Sequence, residues 1–167
     1  MQISMILNTM KLNGESIKIN MKSLYESLFD IDDNVDNVDR SIVEKFLKDN
    51  YRGSFIISNK PNKDGKYEVS CVGAVVAQKN ITSLTNDMFV WTEMDAEFNC
   101  SWCDSLTSLK GAPKKVGSEF NCMYCKSLMS LKGAPKKTDY FRCEGCGGKF
   151  SEEDVKKVSD VKGFIVV

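Results

Sequence analysis

From Phe98 onward, apolar and polar positions recur in a frame longer than one helical turn or one strand alternation. Phe98-Asn99-Cys100-Ser101-Trp102-Cys103, Phe120-Asn121-Cys122-Met123-Tyr124-Cys125 and Phe141-Arg142-Cys143-Glu144-Gly145-Cys146 stand 22 and then 21 residues apart. The first hexad is followed by Ser105-Leu106-Thr107-Ser108-Leu109-Lys110-Gly111-Ala112-Pro113-Lys114-Lys115. The second is followed by Ser127-Leu128-Met129-Ser130-Leu131-Lys132-Gly133-Ala134-Pro135-Lys136-Lys137, almost a copy. Phe98 and Cys100, two positions apart, leave a β-strand on the same side, which must be the inward one; Asn99 then faces solvent. Leu106 and Leu109, three apart, suit the inward positions of a 3₁₀-like or irregular turn. Gly111 and Pro113 then bend the chain toward the next strand.

A single unit of this kind cannot bury its own apolar face. Stacking units at the strand spacing of about 4.8 Å builds a continuous core, with each coil touching only its neighbours. Periods of roughly 20 to 29 residues, with regularly placed Leu and an Asn or Cys after a short strand, mark leucine-rich-type repeats. A degenerate earlier coil is expected in Tyr67-Glu68-Val69-Ser70-Cys71-Val72, followed by Ile81-Thr82-Ser83-Leu84. Leu106 to Phe120 spans 14 positions and Ile81 to Phe98 spans 17, so the first coil carries a three-residue insertion around Met88, Phe89, Val90 and Trp91. At the far end Ser151 is the expected N-cap of a short helix with acids in its first turn, and Val161 to Val167 is a last apolar strand.

Residues 1–66 carry no repeat. Asn13-Gly14 between Ser4–Met10 and Ser16–Asn20 predicts a tight hairpin, and Asn62-Lys63-Asp64-Gly65 between Ser54–Ser58 and Lys66–Val76 predicts a second. Met21–Phe29 and Ser41–Leu47 have helical spacing. The expected fold class is α+β. A small N-terminal α+β cap over 1–66 runs into a short leucine-rich-repeat-like parallel β-solenoid over 67–167, closed by a C-terminal helix and strand.

The run Cys-x-x-Cys-x-Ser-Leu-x-Ser-Leu-Lys-Gly-Ala-Pro-Lys-Lys resembles the leucine-rich-type repeats of small proteins from large tailed bacteriophages, over roughly Tyr67 to Val167. Those repeats have Asn where Cys103 and Cys125 stand, and one residue fewer before the first Leu. More distantly it is similar to the short repeats of secreted bacterial effectors, whose solenoids recognise proteins. The resemblance implies a phage accessory protein acting in the host cytoplasm, binding a host or phage protein and inhibiting or redirecting a host process or defence system.

Composition narrows the chemistry. The 23 basic and 23 acidic residues cancel. Split at Glu97, the chain has 11 basic and 14 acidic residues before it, and 12 and 9 from it onward, short of the basic excess of a nucleic-acid binder. No apolar run reaches the length of a membrane span, and the first residues lack the features of a secretory leader, which predicts a cytosolic protein without membrane contact. Histidine is absent, which removes the commonest general base and the usual partner of a catalytic Ser or Cys. The expectation is a non-enzymatic chain with no catalytic residues.

The chemically loudest feature is three Cys-x-x-Cys pairs, with 18 residues between Cys103 and Cys122 and 17 between Cys125 and Cys143. That spacing suits four-thiolate zinc sites drawn from Cys100, Cys103, Cys122, Cys125, Cys143 and Cys146. The competing and favoured reading, with no cofactor, is structural. Cys100, Cys122 and Cys143 form an inward column, while Cys103, Cys125 and Cys146 bond to the backbone of the adjacent turn. Lys110, Lys114 and Lys115 recur as Lys132, Lys136 and Lys137, a stripe that either keeps a turn face solvated or contacts anions such as nucleic acid. Trp102 and Tyr124 occupy equivalent positions between paired cysteines and, with Asn99, Asn121 and Arg142, are the expected protein-binding set. Asp30, Asp32, Asp33, Asp36 and Asp39 begin like a calcium loop, but Val35 replaces the turn Gly and Ser41 the bidentate Glu. A loop capping a helix at Ser41, or an acidic patch, fits better.

Overall fold

The structure is a computed structural model that describes residues 9–12, 15–18 and 35–167, with side chains from Arg40 onward. Contacts divide the chain into Met1–Val38 and Asp39–Val167. In the first unit β1 (Thr9–Leu12) pairs antiparallel with β2 (Glu15–Lys18), Leu12 opposite Glu15, so the strands lie immediately either side of the Asn13-Gly14 pair. The expected helix over Met21–Phe29 lies outside the described residues, as do Asp30, Asp32 and Asp33.

The second unit is a β-solenoid of about five turns with few helices. The helix α1 (Val35–Asn50) belongs to this unit from Asp39 on; it begins upstream of Ser41 and therefore places Ser41 inside the helix rather than at its cap. Val43 and Leu47, four apart and so on one helical face, are buried in the solenoid core. Asn50 ends the helix, its side-chain amide donating to Phe46 O at 2.9 Å. The chain passes directly into β3 (Tyr51–Ile57), antiparallel to β4 (Tyr67–Ala77) with Ile57 opposite Val69. The expected turn joins them: Asn62 Oδ1 accepts from Asp64 N and Lys66 N, and Gly65 N donates to Asn62 O.

All later pairings are parallel. Two ladders run along the unit, both starting on the long strand β4. In one, Tyr67–Val69 pairs with β5 (Phe89–Trp91). In the other, Val75 lies opposite Phe98 of β6 (Phe98–Asn99), Phe98 opposite Phe120 of β7 (Lys115–Asn121), and Phe120 opposite Phe141 of β8 (Lys137–Arg142). Ile165 of β10 (Ile165–Val166) closes that row. The partner of Phe98 is thus Val75, not a residue of Tyr67–Val72, because the first coil uses its strand twice. The expected insertion is itself ordered as β5, with Phe89 and Trp91 buried. A shorter row links Met94, Val116, Thr138 and Val161, the last in β9 (Asp160–Val161).

Between strands, Leu84, Leu106, Leu109, Leu128 and Leu131 are all buried, as the three-residue spacing predicts. Phe98 and Phe120 stack with planes only 8° apart at 5.9 Å, and Phe141 follows at 5.2 Å from Phe120. A tilted cluster of Tyr51, Phe55, Phe89 and Trp91 fills the first coil.

At the C-terminal end, α2 (Glu152–Val158) buries Val155 against the last coil. Ser151 Oγ accepts from Asp154 N, and the Asp154 carboxylate accepts from Ser151 N, a reciprocal capping box. Ser151→Ala removes it and should lower stability by about 1 kcal/mol, read as a shift in the urea midpoint at constant slope. Hydrogen bonds from Lys157 and Ser151 hold the Asp154 carboxyl down at about 2. The contribution of that charge is therefore present above the ordinary carboxylate value and fades as pH falls toward 2.

Candidate functional site

Each strand of the phenylalanine row ends in a bend built by its own sequence. Asn99 Oδ1 accepts from Ser101 N at 2.9 Å and Asn121 Oδ1 from Met123 N at 3.1 Å, closing local turns. Their amides donate to Glu97 and Glu119 respectively. These asparagines serve the bend, and Asn121 is buried instead of facing solvent. Arg142, the third of the set, lies 3.8 Å from Glu119.

The next residues, Trp102 and Tyr124, have φ of 63° and 57°. Side chains with a Cβ adopt this left-handed region at a cost of about 1–2 kcal/mol each. Two features hold them there. Inter-coil bonding continues through the bend, Trp102 N donating to Met123 O and Tyr124 N to Glu144 O. The two rings also stack at 4.3 Å with planes 26° apart. Trp102 is 49% exposed and Tyr124 half-buried, its hydroxyl bonded to Glu144. Lys79 sits 6.0 Å from the Trp102 ring centre, a contact nothing in the sequence announces. The third coil has Gly145 at the aligned position, with φ 69°, and a Cβ there would run into the Tyr124 ring. The aromatic ladder therefore has two members and a glycine stop, which the aligned hexads did display.

The cysteines flank this ladder. Cys100, Cys122 and Cys143 are buried in one column. Cys103 Sγ donates to Gln78 O, Cys125 Sγ to Cys100 O at 3.1 Å and Cys146 Sγ to Cys122 O at 3.0 Å, each reaching the preceding coil. All seven thiols are free. Among the described residues no three His, Cys, Asp or Glu side chains gather as a metal site would require.

Compared with family models, curated proteins and solved structures, the chain matches none.

Burial and the neighbouring Cys125 and Asp104 push the Cys103 thiol up to about 12, and burial beside Cys146 does the same for Cys143. Cys100 is driven up by its hydrogen bond with Cys125 and by burial, Cys122 by burial and its bond with Cys146. These four thiols stay protonated and unreactive at neutral pH, whereas the same hydrogen bonds with Cys100 and Cys122 lower the thiols of Cys125 and Cys146. The unfolded chain ionises the four raised thiols near 9, so stability present below that value should be lost as pH rises from about 9 to about 12. Urea midpoints over that range test it; an unchanged midpoint would contradict the buried placement.

The lysine stripe separates into two groups. Lys115 is tied to Glu93 at 3.1 Å. Lys110, Lys114, Lys132, Lys136 and Lys137 form no ion pair among the described residues. No helix among the described residues is long and apolar enough to cross a membrane.

Proposed function

We infer that this chain is a non-enzymatic binding module of leucine-rich-repeat type, whose solenoid offers the Trp102–Tyr124 ladder to a protein partner. One observation carries the reading. A tryptophan is held half-exposed, in a backbone region that disfavours it, by a stack and by inter-coil hydrogen bonds. Such strain gathers at functional positions, and exposed tryptophan and tyrosine dominate protein interfaces. The repeat-type assignment is supported by the second cysteine of each pair bonding back to the preceding coil. The non-enzymatic reading rests on the absence of histidine from the sequence, the usual partner of a catalytic thiol. The resemblance to tailed-phage repeats makes a host or phage protein the partner, bound so as to inhibit or redirect a host process.

Trp102→Asn tests this, because asparagine tolerates the left-handed region and keeps the bend while deleting the ring. The variant should fold with a midpoint near that of the parent and lose at least about tenfold in affinity for a protein captured from infected cells by the parent. Equal affinity of the two proteins, or turnover of a substrate by the purified chain, would sink the reading. The unpaired lysines favour nucleic acid as a second partner; a gel shift at low salt that collapses as salt rises would support it. Stoichiometric zinc, with unfolding on chelation, would instead favour a thiolate metal module.

A further inference from the structure

We propose that the groove formed where the first coil meets the Lys-Gly-Ala-Pro-Lys turns is a binding site for a nucleoside phosphate, independent of the aromatic ladder. The groove has a volume of about 340 Å³, with Lys66, Lys110, Lys114 and Lys136 around it and Phe89 and Trp91 in its lining. Lys110, Lys114 and Lys136 have no ion pair among the described residues. Lys66 lies 3.7 Å from Asp87, whose side chain is fully exposed. Three uncompensated ammonium groups beside an apolar wall focus a positive field into the concavity.

Their backbones are fixed. Gly111 and Gly133, also in the lining, have φ of 96° and 94° and press so closely on the preceding coil that a Cβ would overlap the backbone of Leu84 and Lys110 respectively. The turns carrying the lysines are thus pinned, which reduces the ordering a ligand must impose. Trp91 is buried, and its indole N–H has no partner among the described residues. The mixture sets the ligand class: phosphate oxygens for the lysines, and a ring with acceptor atoms for the apolar wall. Single small ligands occupy cavities of roughly this size, whereas a nucleic-acid strand needs a track. Lys115 and Lys137 of the same stripe are not part of the lining and serve as internal controls.

Calorimetric titration of the full chain with ADP, at low and moderate salt, tests the site. Saturable one-site binding is expected, with adenosine and inorganic phosphate each weaker than ADP. The double variant Lys110→Gln/Lys136→Gln should weaken ADP by about tenfold or more, and Lys115→Gln/Lys137→Gln by less than about twofold. Lys110, Lys136 and Lys137 are exposed and Lys115 is partly so, its contact with Glu93 lying at the surface, so both proteins should keep the parent's circular dichroism. No saturable ADP binding by the parent overturns the proposal. So does equal weakening in both variants, which marks diffuse charge attraction, and so does inorganic phosphate binding as tightly as ADP, which leaves the apolar wall without a role. A single-stranded oligonucleotide bound far more tightly than ADP would reassign the lysines to a strand-tracking surface. None of these results bears on Trp102.

Discussion

Gly133→Ala should cost about 3 kcal/mol or more, from a single added methyl group, through two mechanisms that compound. Gly133 has φ 94°, which an L side chain rarely adopts, so the backbone is strained whatever space surrounds it. The space is also absent. The new Cβ would overlap the backbone N and Cα of Lys110 and the Leu109 carbonyl carbon in the preceding coil, and backbone cannot rotate away as a side chain can. Relief requires the two coils to separate locally, which disturbs the buried Leu109–Leu131 layer and the adjoining Ala134 N to Leu131 O bond. Gly65→Ala is the matched control: φ is 72°, but nothing lies within 4 Å of the added carbon. It should show the conformational part alone, about 1 kcal/mol. Urea unfolding of the three proteins checks the pair. Equal losses would mean that the close approach at Gly133 is not present in solution.

Phe120→Ala should cost about 3–5 kcal/mol. Phe120 is fully buried, stacked on Phe98 and in contact with Phe141, so truncation leaves a void bounded by rings on both sides. Those rings are anchored in the parallel ladder and cannot collapse into the gap without breaking register. Because coils touch only their neighbours, the damage separates the chain into an N-terminal and a C-terminal stack. A broader, less cooperative transition should accompany the drop in midpoint, seen as a smaller denaturant slope. Phe98→Leu, which keeps an apolar side chain, should be much milder. A two-state transition of unchanged slope in Phe120→Ala would show that the coils do not unfold separately.

The parts legible in the sequence were those that repetition prints several times. Phe98, Phe120 and Phe141 fall in one row because two near-equal periods allow no other stacking, and the leucine pairs follow. The second cysteines were legible too, since a small polarisable donor at that step has the previous coil's carbonyls within reach. What was hidden depended on a residue's use of its neighbours. Tyr67–Ala77 is one strand that begins two ladders while pairing with β3 on its other edge, so the first coil had no hexad to align. Asn121 reads as a surface residue by alternation, but its amide and carbonyl are consumed by its own turn. Ser41 looked like a cap because the acids before it obscured helical spacing, and tertiary packing of Val43 and Leu47 extends the helix past it. The left-handed backbone of Trp102 and Tyr124 had no signal in their own residue types, which a bend of that kind rarely recruits. Only Gly145, aligned with them, hinted at it. Lys110, Lys114 and Lys136 were visible within a stripe, but that they are free while Lys115 and Lys66 are paired required Glu93 and Asp87 to be placed.

The stacking of equivalent coils has an evolutionary side. The junction between the coils that begin at Phe98 and Phe120 matches phenylalanine to phenylalanine and sets the Leu106/Leu109 pair against the Leu128/Leu131 pair. Duplicating a segment such as residues 98–119 in frame would therefore lengthen the stack by one unit and repeat the same phenylalanine and leucine contacts, carrying one more tryptophan and three more lysines with it. Gene-level copying becomes a dial for the length of the stack, and loss of a copy shortens it just as cleanly. A chain built this way can change how many units it has before it changes what any one of them is made of.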